Sequence, residues 1–332
     1  MPEAARPRAP RLAIPDFRRM EPEIIEQLER RLGRAHAKQR LETETAHEAR
    51  AFGGGARNFV HVENWYMAPC VIRNALRLVG LYRRARRNAE RIQVRENILR
   101  SARLPAAFDG FTLLHISDLH VDMNEGAMRR LGELVGELRY DVCVLTGDYR
   151  GKTYGPFEPA LDGLARLRER LAGPVYGVLG NHDTILMVPG LEAMGIRMLL
   201  NERERLERGG ECIHLAGIDD AHYYRVDDIA KAAAGIGADD YSILLSHTPE
   251  IYEQAATAGF DLMLSGHTHG GQICLPGAIP VTLDSALPRR MGAEAWEYRG
   301  MAGYTSVGVG SCIEPVRLNC PPAITLHRLQ RG

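Results

Sequence analysis

Phe111-Thr112-Leu113-Leu114-His115-Ile116-Ser117-Asp118-Leu119-His120 is the stretch whose reading decides the fold. A mostly apolar run containing a β-branched Ile breaks off at Ser117-Asp118-Leu119-His120. That pattern reads as a buried strand delivering two metal-capable side chains at its carboxyl end. At strand spacing Asp118 and His120 fall on the same side, where both can grip one ion.

Outward from this strand, short apolar runs alternate with helical segments. DVCVLTG, VYGVLG, CIHLAGI, YSILLS, DLMLSG, YTSVGVG and AITLHRL read as strands, with helices near 127–138, 159–171 and 191–194. Strand–helix alternation predicts parallel pairing with ligands at the strand carboxyl ends, and the closely spaced later strands predict a second, partly antiparallel sheet. Four of these runs end in polar clusters: Gly147-Asp148, Gly180-Asn181-His182-Asp183, His247 and Gly266-His267-Thr268-His269. Glycine lets the backbone turn off a strand and approach an ion closely. Any one cluster is explained by turn chemistry. Five together, with Asp118 and His120 included, are not.

The donors are Asp118, His120, Asp148, Asn181, His247, His267 and His269. Seven ligands exceed the needs of one tetrahedral zinc and suit two divalent ions sharing a carboxylate. Imidazole, carboxylate and amide oxygen without thiolate suit Mn, Fe or Zn, with Mn favoured, better than Ca or Mg. Two such ions about 3.5–4 Å apart clamp the attacking and leaving oxygens at phosphorus and supply a bridging hydroxide at neutral pH.

The order D-x-H, G-D, G-N-H-D, H, G-H-x-H resembles the calcineurin-like metallophosphoesterase superfamily over about residues 111–325. The resemblance implies an α/β four-layer αββα sandwich of two mixed sheets. It also implies that Asp118, His120 and His269 hold one ion, that Asn181, His247 and His267 hold the other, and that Asp148 bridges them. His182 would then be the catalytic histidine outside the ligand set, oriented by Asp183. Leu264–Ile273 (LSGHTHGGQI) and Asn319–Pro322 (NCPP) are similar to bacterial, often membrane-associated members, among which are the UDP-2,3-diacylglucosamine pyrophosphatases of lipid A biosynthesis.

The net charge of zero is a cancellation. Residues 1–104 hold 22 Lys+Arg against 12 Asp+Glu, and the rest of the 42 and 42 leaves 20 against 30, or +10 facing −10. The expected organisation is a basic helical extension over 1–104 and a catalytic domain over 105–332. Residues 1–17 read as poorly ordered, and 19–50 as a charged helix with little apolar surface, ended by Gly53-Gly54-Gly55. Over 63–100 an apolar stripe (Val71, Ala75, Leu78, Tyr82, Ala85, Ala89, Ile92) opposes an arginine face after Trp65-Tyr66-Met67. That pattern predicts a helix that packs on the domain, meets an anionic membrane surface, or does both.

Six cysteines without C-x-x-C spacing, no secretory leader and no run of about 18 apolar residues lead to the expectation of a cytoplasmic, peripherally membrane-associated protein. An acidic catalytic domain without a basic, aromatic stripe argues against a nucleic-acid partner, although a nuclease uses the same ligands. A non-catalytic scaffold is the other rival. The expected substrate is phosphorylated and lipid-linked, with Ile273, Leu275, Ile279, Val281, Leu287, Met291, Trp296 and Met301 as a candidate apolar wall. Asp219, Asp220 and His222 follow another strand end and read as a turn, with reach into the site as the alternative. Arg150 and Arg317 are weak candidates for phosphate contact.

Overall fold

Alternation of side chains along the core strands builds the layers. The computed structural model describes residues 21–52 and 67–332. One sheet runs in the order β1 (Gln93–Arg100), β14 (Ala323–Gln330), β2 (Thr112–Ile116), β3 (Val142–Thr146), β4 (Val175–Val178), β5 (Ile196–Met198). The other runs β12 (Glu294–Tyr298), β13 (Met301–Thr305), β9 (Leu262–Ser265), β8 (Ser242–Leu245), β7 (Glu211–Gly217), β6 (Glu202–Arg208). Both are mixed: β2, β3, β4 and β5 pair in parallel, as do β7, β8, β9 and β13, while β14 meets β2 and β6 meets β7 antiparallel.

Leu113, Val142 and Val144 face Ile243, Leu245, Leu262 and Leu264 in a core between the sheets. The alternate residues, Leu114, Ile116, Cys143 and Leu145, point the other way, onto helices α5 (Glu125–Glu137), α6 (Glu158–Arg168) and α7 (Val188–Ala193). Helix α5 shows the 3.6-residue logic: Asn124 caps the amide of Ala127, and Ala127, Leu131 and Val135 form its buried stripe. Leu244 and Met263 turn outward on the second sheet toward α8 (Ile229–Ala233) and α9 (Tyr252–Thr257). The result is the αββα sandwich, with the carboxyl ends of β2, β3, β4, β8 and β9 gathered at one edge.

The N-terminal part departs from its reading in two ways. The charged helix is two helices, α1 (Glu21–Leu32) and α2 (Arg34–Phe52), and it does bury apolar surface. Ile24, Leu28, Leu32 and Ala37 belong to the same core as α5–α7. The stretch 63–100 is not one helix. From residue 67 onward it forms α3 (Ala68–Leu78), α4 (Tyr82–Asn88) and then strand β1. Gly80 at φ 72° reverses the chain between the helices, a conformation that costs other residues more. Strand β1 lies before the boundary expected at 104/105, yet pairs with β14 at eight positions as an edge of the first sheet. The readings for residues 1–17, Gly53–Gly55 and Trp65-Tyr66 fall outside the described residues.

Two fully buried histidines sit in the first sheet, His115 on β2 and His327 on β14, with Nδ1 of the first 3.3 Å from Nε2 of the second. Burial pushes His115 down to about 3 and holds His327 well below the usual range. Both stay neutral in the fold, while the unfolded chain takes up a proton on each near pH 6.5. Their contribution to stability is therefore complete above that pH and is lost as pH falls below it, by about 1.4 kcal/mol per pH unit per histidine. Urea unfolding of the ion-free chain between pH 7 and 5 should show a shallower pH slope for His115→Gln than for the natural chain. Identical slopes would mean that His115 is protonated in the fold.

Candidate metal centre

Each donor hangs from the carboxyl end of a core strand, and most hang from unusual backbone. Asp118, His120, Asp148, His267 and His269 all have positive φ, between 40° and 71°. In that region the β-carbon crowds the neighbouring peptide, so each position stores strain. Close packing around them fixes the shape. A β-carbon on Gly266 would fall 1.8 Å from Ser117 Oγ and 2.4 Å from Asp118 Oδ2, so the G-H-x-H loop touches the D-x-H loop only because residue 266 has none.

The structure brings all seven sequence-predicted donors together, each at most 5% exposed. Asp118, His120, Asp148 and His269 offer ligand atoms within 4.8 Å of one another. His120 Nε2 lies 3.1 Å from His269 Nε2, and His269 Nε2 lies 3.6 Å from Asp118 Oδ1. The remaining three meet at the amide oxygen of Asn181, with His247 Nε2 at 2.9 Å and His267 Nδ1 at 3.0 Å. Asp148 stands between the groups: its Oδ2 is 3.8 Å from His120 Nε2 and 3.4 Å from His247 Nε2. His120 Nδ1 donates to the Arg150 carbonyl at 2.8 Å and His247 Nδ1 to that of Thr146 at 2.7 Å, which turns both Nε2 lone pairs toward the centre. Four imidazoles, two carboxylates and an amide oxygen in two groups around one carboxylate fit two divalent cations.

Charge among the donors follows from burial and proximity. Burial pushes the Asp118 carboxyl up to about 6, with Asp148 adding to the rise. His120 is pushed down to about 4 by burial, and His269 lies well below its usual range for the same reason, with Arg317 adding to it. Burial also opposes charge on Asp148 and His247, but here their mutual attraction wins. Asp148 is held well below the carboxylate range and His247 is raised to about 10. Binding of a cation by His247 would therefore compete with a proton.

Two residues in the G-N-H-D block do different work. His182 sits just outside the donors, with Nδ1 3.1 Å from Thr153 Oγ1 and Nε2 3.9 Å from Asp148 Oδ2. Asp183, expected to orient His182, turns its carboxylate to the backbone. It accepts the amides of Asp148 at 2.8 Å, Tyr149 at 2.9 Å and Gly180 at 2.9 Å, so it pins the backbone that carries Asp148. Thr153 is the residue placed to orient His182, and no pattern in the sequence marks it. Arg150 and Arg317 are buried and donate to backbone carbonyls, Arg150 to those of His182, Thr153 and Gly155, Arg317 to those of His269, Gly308 and Gly310. Neither is set up to meet phosphate.

Asp219, Asp220 and His222 form the expected turn, Asp220 accepting the amides of His222, Tyr223 and Tyr224. The turn also reaches the centre: the His222 ring lies 4.3 Å from that of His267, its Nδ1 2.8 Å from Glu250 Oε2. His222, His267 and Asp284 form a second group with ligand atoms within 4.8 Å.

Asp148→Asn keeps an acceptor for the His182 amide, which Asp148 Oδ1 binds at 3.0 Å, and removes the shared negative charge. Metal analysis of this variant should show loss of at least one ion per chain and of nearly all turnover. Two ions with undiminished turnover would remove Asp148 from the bridging position.

Residues 111–271 match the family model for the calcineurin-like phosphoesterases. The chain is 29% identical over 257 residues to the uncharacterized metallophosphoesterase YkoQ of Bacillus subtilis, covering 74% of this chain and 93% of that one. It is 35% identical over 189 residues to a transmembrane protein with metallophosphoesterase domain from Danio rerio, covering 52% of this chain and 43% of that one. It is 26% identical over 233 residues to the phosphodiesterase YaeI of Escherichia coli, covering 66% and 82%. The matched span ends two residues past His269 and takes in all seven donors and His182, so the chain carries a calcineurin-like metallophosphoesterase domain and is a metal-dependent phosphoester hydrolase.

Proposed function

We propose that the chain hydrolyses a phosphodiester or pyrophosphate bond in a lipid-linked substrate at a membrane surface. The observation that carries this reading is an outward-facing apolar and basic patch on α3–α4. Leu78 is 89% exposed, Val79 62% and Val71 47%. Between Met67 and Ala89 there are six arginines and no acidic residue. Ile72, Leu76, Tyr82 and Ala85, on the opposite side of the pair, pack on Val316, Leu318 and Ile273, so the patch is tied to the catalytic domain. Each arginine near an anionic surface contributes on the order of 1 kcal/mol, and several together suffice for reversible attachment. Among the described residues no helix is long and apolar enough to cross a membrane. The reading is therefore contact with a surface rather than a span.

The apolar wall read from 273–301 divides. Met291, Trp296 and Met301 are core, with Leu287 packed against them, and Ile273 joins the α3–α4 cluster. Leu275, Ile279 and Val281, each more than half exposed, project from the hairpin β10 (Cys274–Leu275) and β11 (Ile279–Pro280), which starts five residues after His269. Exposed apolar side chains so near His269 in sequence suit a substrate with acyl chains. UDP-2,3-diacylglucosamine is the specific candidate, and its cleavage gives a lipid monophosphate and a nucleotide monophosphate. The acidic character of residues 105–332 (20 Lys+Arg against 30 Asp+Glu) disfavours a nucleic acid at the same centre.

Divalent ions, Mn by preference, would be held by Asp118, His120, Asp148, Asn181, His247, His267 and His269 and would supply Lewis-acid activation of water and charge neutralisation at phosphorus. The chain's own residues do the rest. Asp118, Asp148, Asn181 and the four histidines would set the places of the ions and through them that of the phosphoryl group. His182, held through Nδ1 by Thr153, presents Nε2 beside Asp148, where it can stabilise the transition-state oxygen or protonate the leaving group. His182→Ala should retain both ions and lose about 10²–10⁴-fold in rate. A parallel loss of metal would make it a ligand instead.

The substrate reading is tested with purified protein and Mn²⁺. UDP-2,3-diacylglucosamine in anionic vesicles should be cleaved far faster than its deacylated analogue, and flotation with the vesicles should weaken in high salt. Leu78→Asp with Val79→Asp should reduce flotation and vesicle turnover while leaving hydrolysis of a soluble aryl diester unchanged. Equal rates on the lipid and its deacylated analogue would leave a phosphohydrolase with a soluble target.

A further inference from the structure

Helix α2 lies outside the residues shared with the family model, yet it reaches the loop that carries Asn181 and His182. Arg40, in its middle, is fully buried. Its Nη2 donates to the Asp183 carbonyl at 2.9 Å, its Nε is 2.8 Å from Glu44 Oε1, and its guanidinium stacks 3.5 Å from the centre of the Tyr224 ring. Glu44, one turn later, accepts the Thr184 hydroxyl and, at 2.8 Å, the Ile185 amide. The three residues that follow His182 are therefore each tied to α2 through the side chains of Arg40 and Glu44. At its start the helix is fixed to the second sheet, His36 Nε2 lying 2.8 Å from Asp219 Oδ2 just beyond β7, with Arg40 Nη1 3.8 Å from Asp219 Oδ1.

A buried guanidinium is a costly way to hold a helix on a protein. An apolar side chain of similar size does so without desolvating charge, and what the ion pairs add is a fixed register. The loop has the opposite face clamped already, because the Asp183 carboxylate binds the amides of Asp148 and Tyr149. With its carbonyl at Asp183 and its polar groups at Thr184 and Ile185 bound from above, the loop cannot slide relative to the donors.

We infer that Arg40 and Glu44 are positioning residues, and that helix α2 is a strut setting Asn181 and His182 against the rest of the metal centre. The inference rests on the metallophosphoesterase roles of Asn181 and His182. It assigns to the N-terminal segment a part in the reaction that the donor set does not contain.

The test uses the full chain and Arg40→Met, read by hydrogen exchange, Mn²⁺ titration and kinetics on a soluble aryl phosphodiester. Exchange of the amides at 180–187 should rise at least tenfold. Affinity for one of the two ions should fall about 10–100-fold, the usual consequence of loosening a ligand's support. The kcat should drop with KM within about twofold. Adding Arg40→Met to His182→Ala should cost little beyond His182→Ala alone, because both changes remove the same placed imidazole. Should Arg40→Met fail to fold, Glu44→Gln takes the same measurements. It keeps an acceptor for the Ile185 amide and weakens the ion pair, and the same changes should appear in smaller size. Unchanged exchange and ion affinity, or losses that multiply with His182→Ala, would reduce α2 to a structural cover. A natural chain that neither binds Mn²⁺ nor hydrolyses the diester would overturn the roles given to Asn181 and His182, and hydrogen exchange would still decide the strut.

Discussion

Left-handed backbone at five of the seven donors is the constraint on which the rest of the structure depends. Each such position costs of order 1–3 kcal/mol for a residue with a β-carbon, so together they rival the net stability of an ordinary domain, about 5–15 kcal/mol. They persist only because the surrounding elements leave no alternative. The amides of Asp118 and His120 donate to the carbonyls of Gly147 and Asp148, and the amide of His267 donates to the Asp118 carboxylate. The loops of the centre thus hold one another, and two buried sheets hold the loops. Loops locked in this way hold the donors in fixed relation, which is the condition for a ligand set that needs no reorganisation.

The same arrangement concentrates charge that the fold must answer. Asp118, Asp148, Asp183 and Asp219 are all buried within a few residues of strand ends. Three different answers are used. Asp183 is met by backbone amides, Asp219 by His36 and Arg40, and Asp148 by His120 and His247, which are themselves donors. Of these, Asp148 is the one that faces both groups of donors, and so it is the carboxylate suited to share two ions. The assignment of a structural role to Asp183 and a chemical one to Asp148 follows from what each carboxylate touches, and their neighbouring positions in sequence motifs do not separate them.

The strand ends were legible because their signals are local. An apolar run stopping at Asp, Asn, His or Gly carries both the strand and the donor, and the alternation of Leu113 and Leu114 or Val142 and Cys143 shows that both faces are covered. What could not be read depends on contacts distant in sequence. Strand β1, QVRENILR, has the charged, alternating pattern of an edge strand, and its preceding helical stripe of Ala85, Ala89 and Ile92 continues in phase into it. Only pairing with β14, more than 220 residues on, decides for strand. Strand β6, ERERLER, is an edge of the same kind and carries no apolar run to announce it. Thr153 in a loop and Glu250 in a single 3-10 turn touch the centre's margin, where residue type alone says nothing of direction.

Arg40 and Glu44 were hidden for a different reason. They stand at i and i+4 on a helix where Lys38 and Glu42 form the same spacing, and on sequence both pairs read as surface ion pairs. Burial separates them. The Lys38–Glu42 pair is about two-thirds exposed and worth little, while the Arg40 side chain is fully enclosed and bound to the loop of His182. The N-terminal segment divides accordingly. Helices α1 and α2 turn their polar and apolar groups inward, onto the catalytic loops and the first sheet's core. Helices α3 and α4 anchor through Leu76 and Ala85 and turn arginine and aliphatic surface outward. A segment so built fastens two different faces to the same sandwich from one stretch of chain, one at the loop of His182 and the other an exposed basic and aliphatic patch.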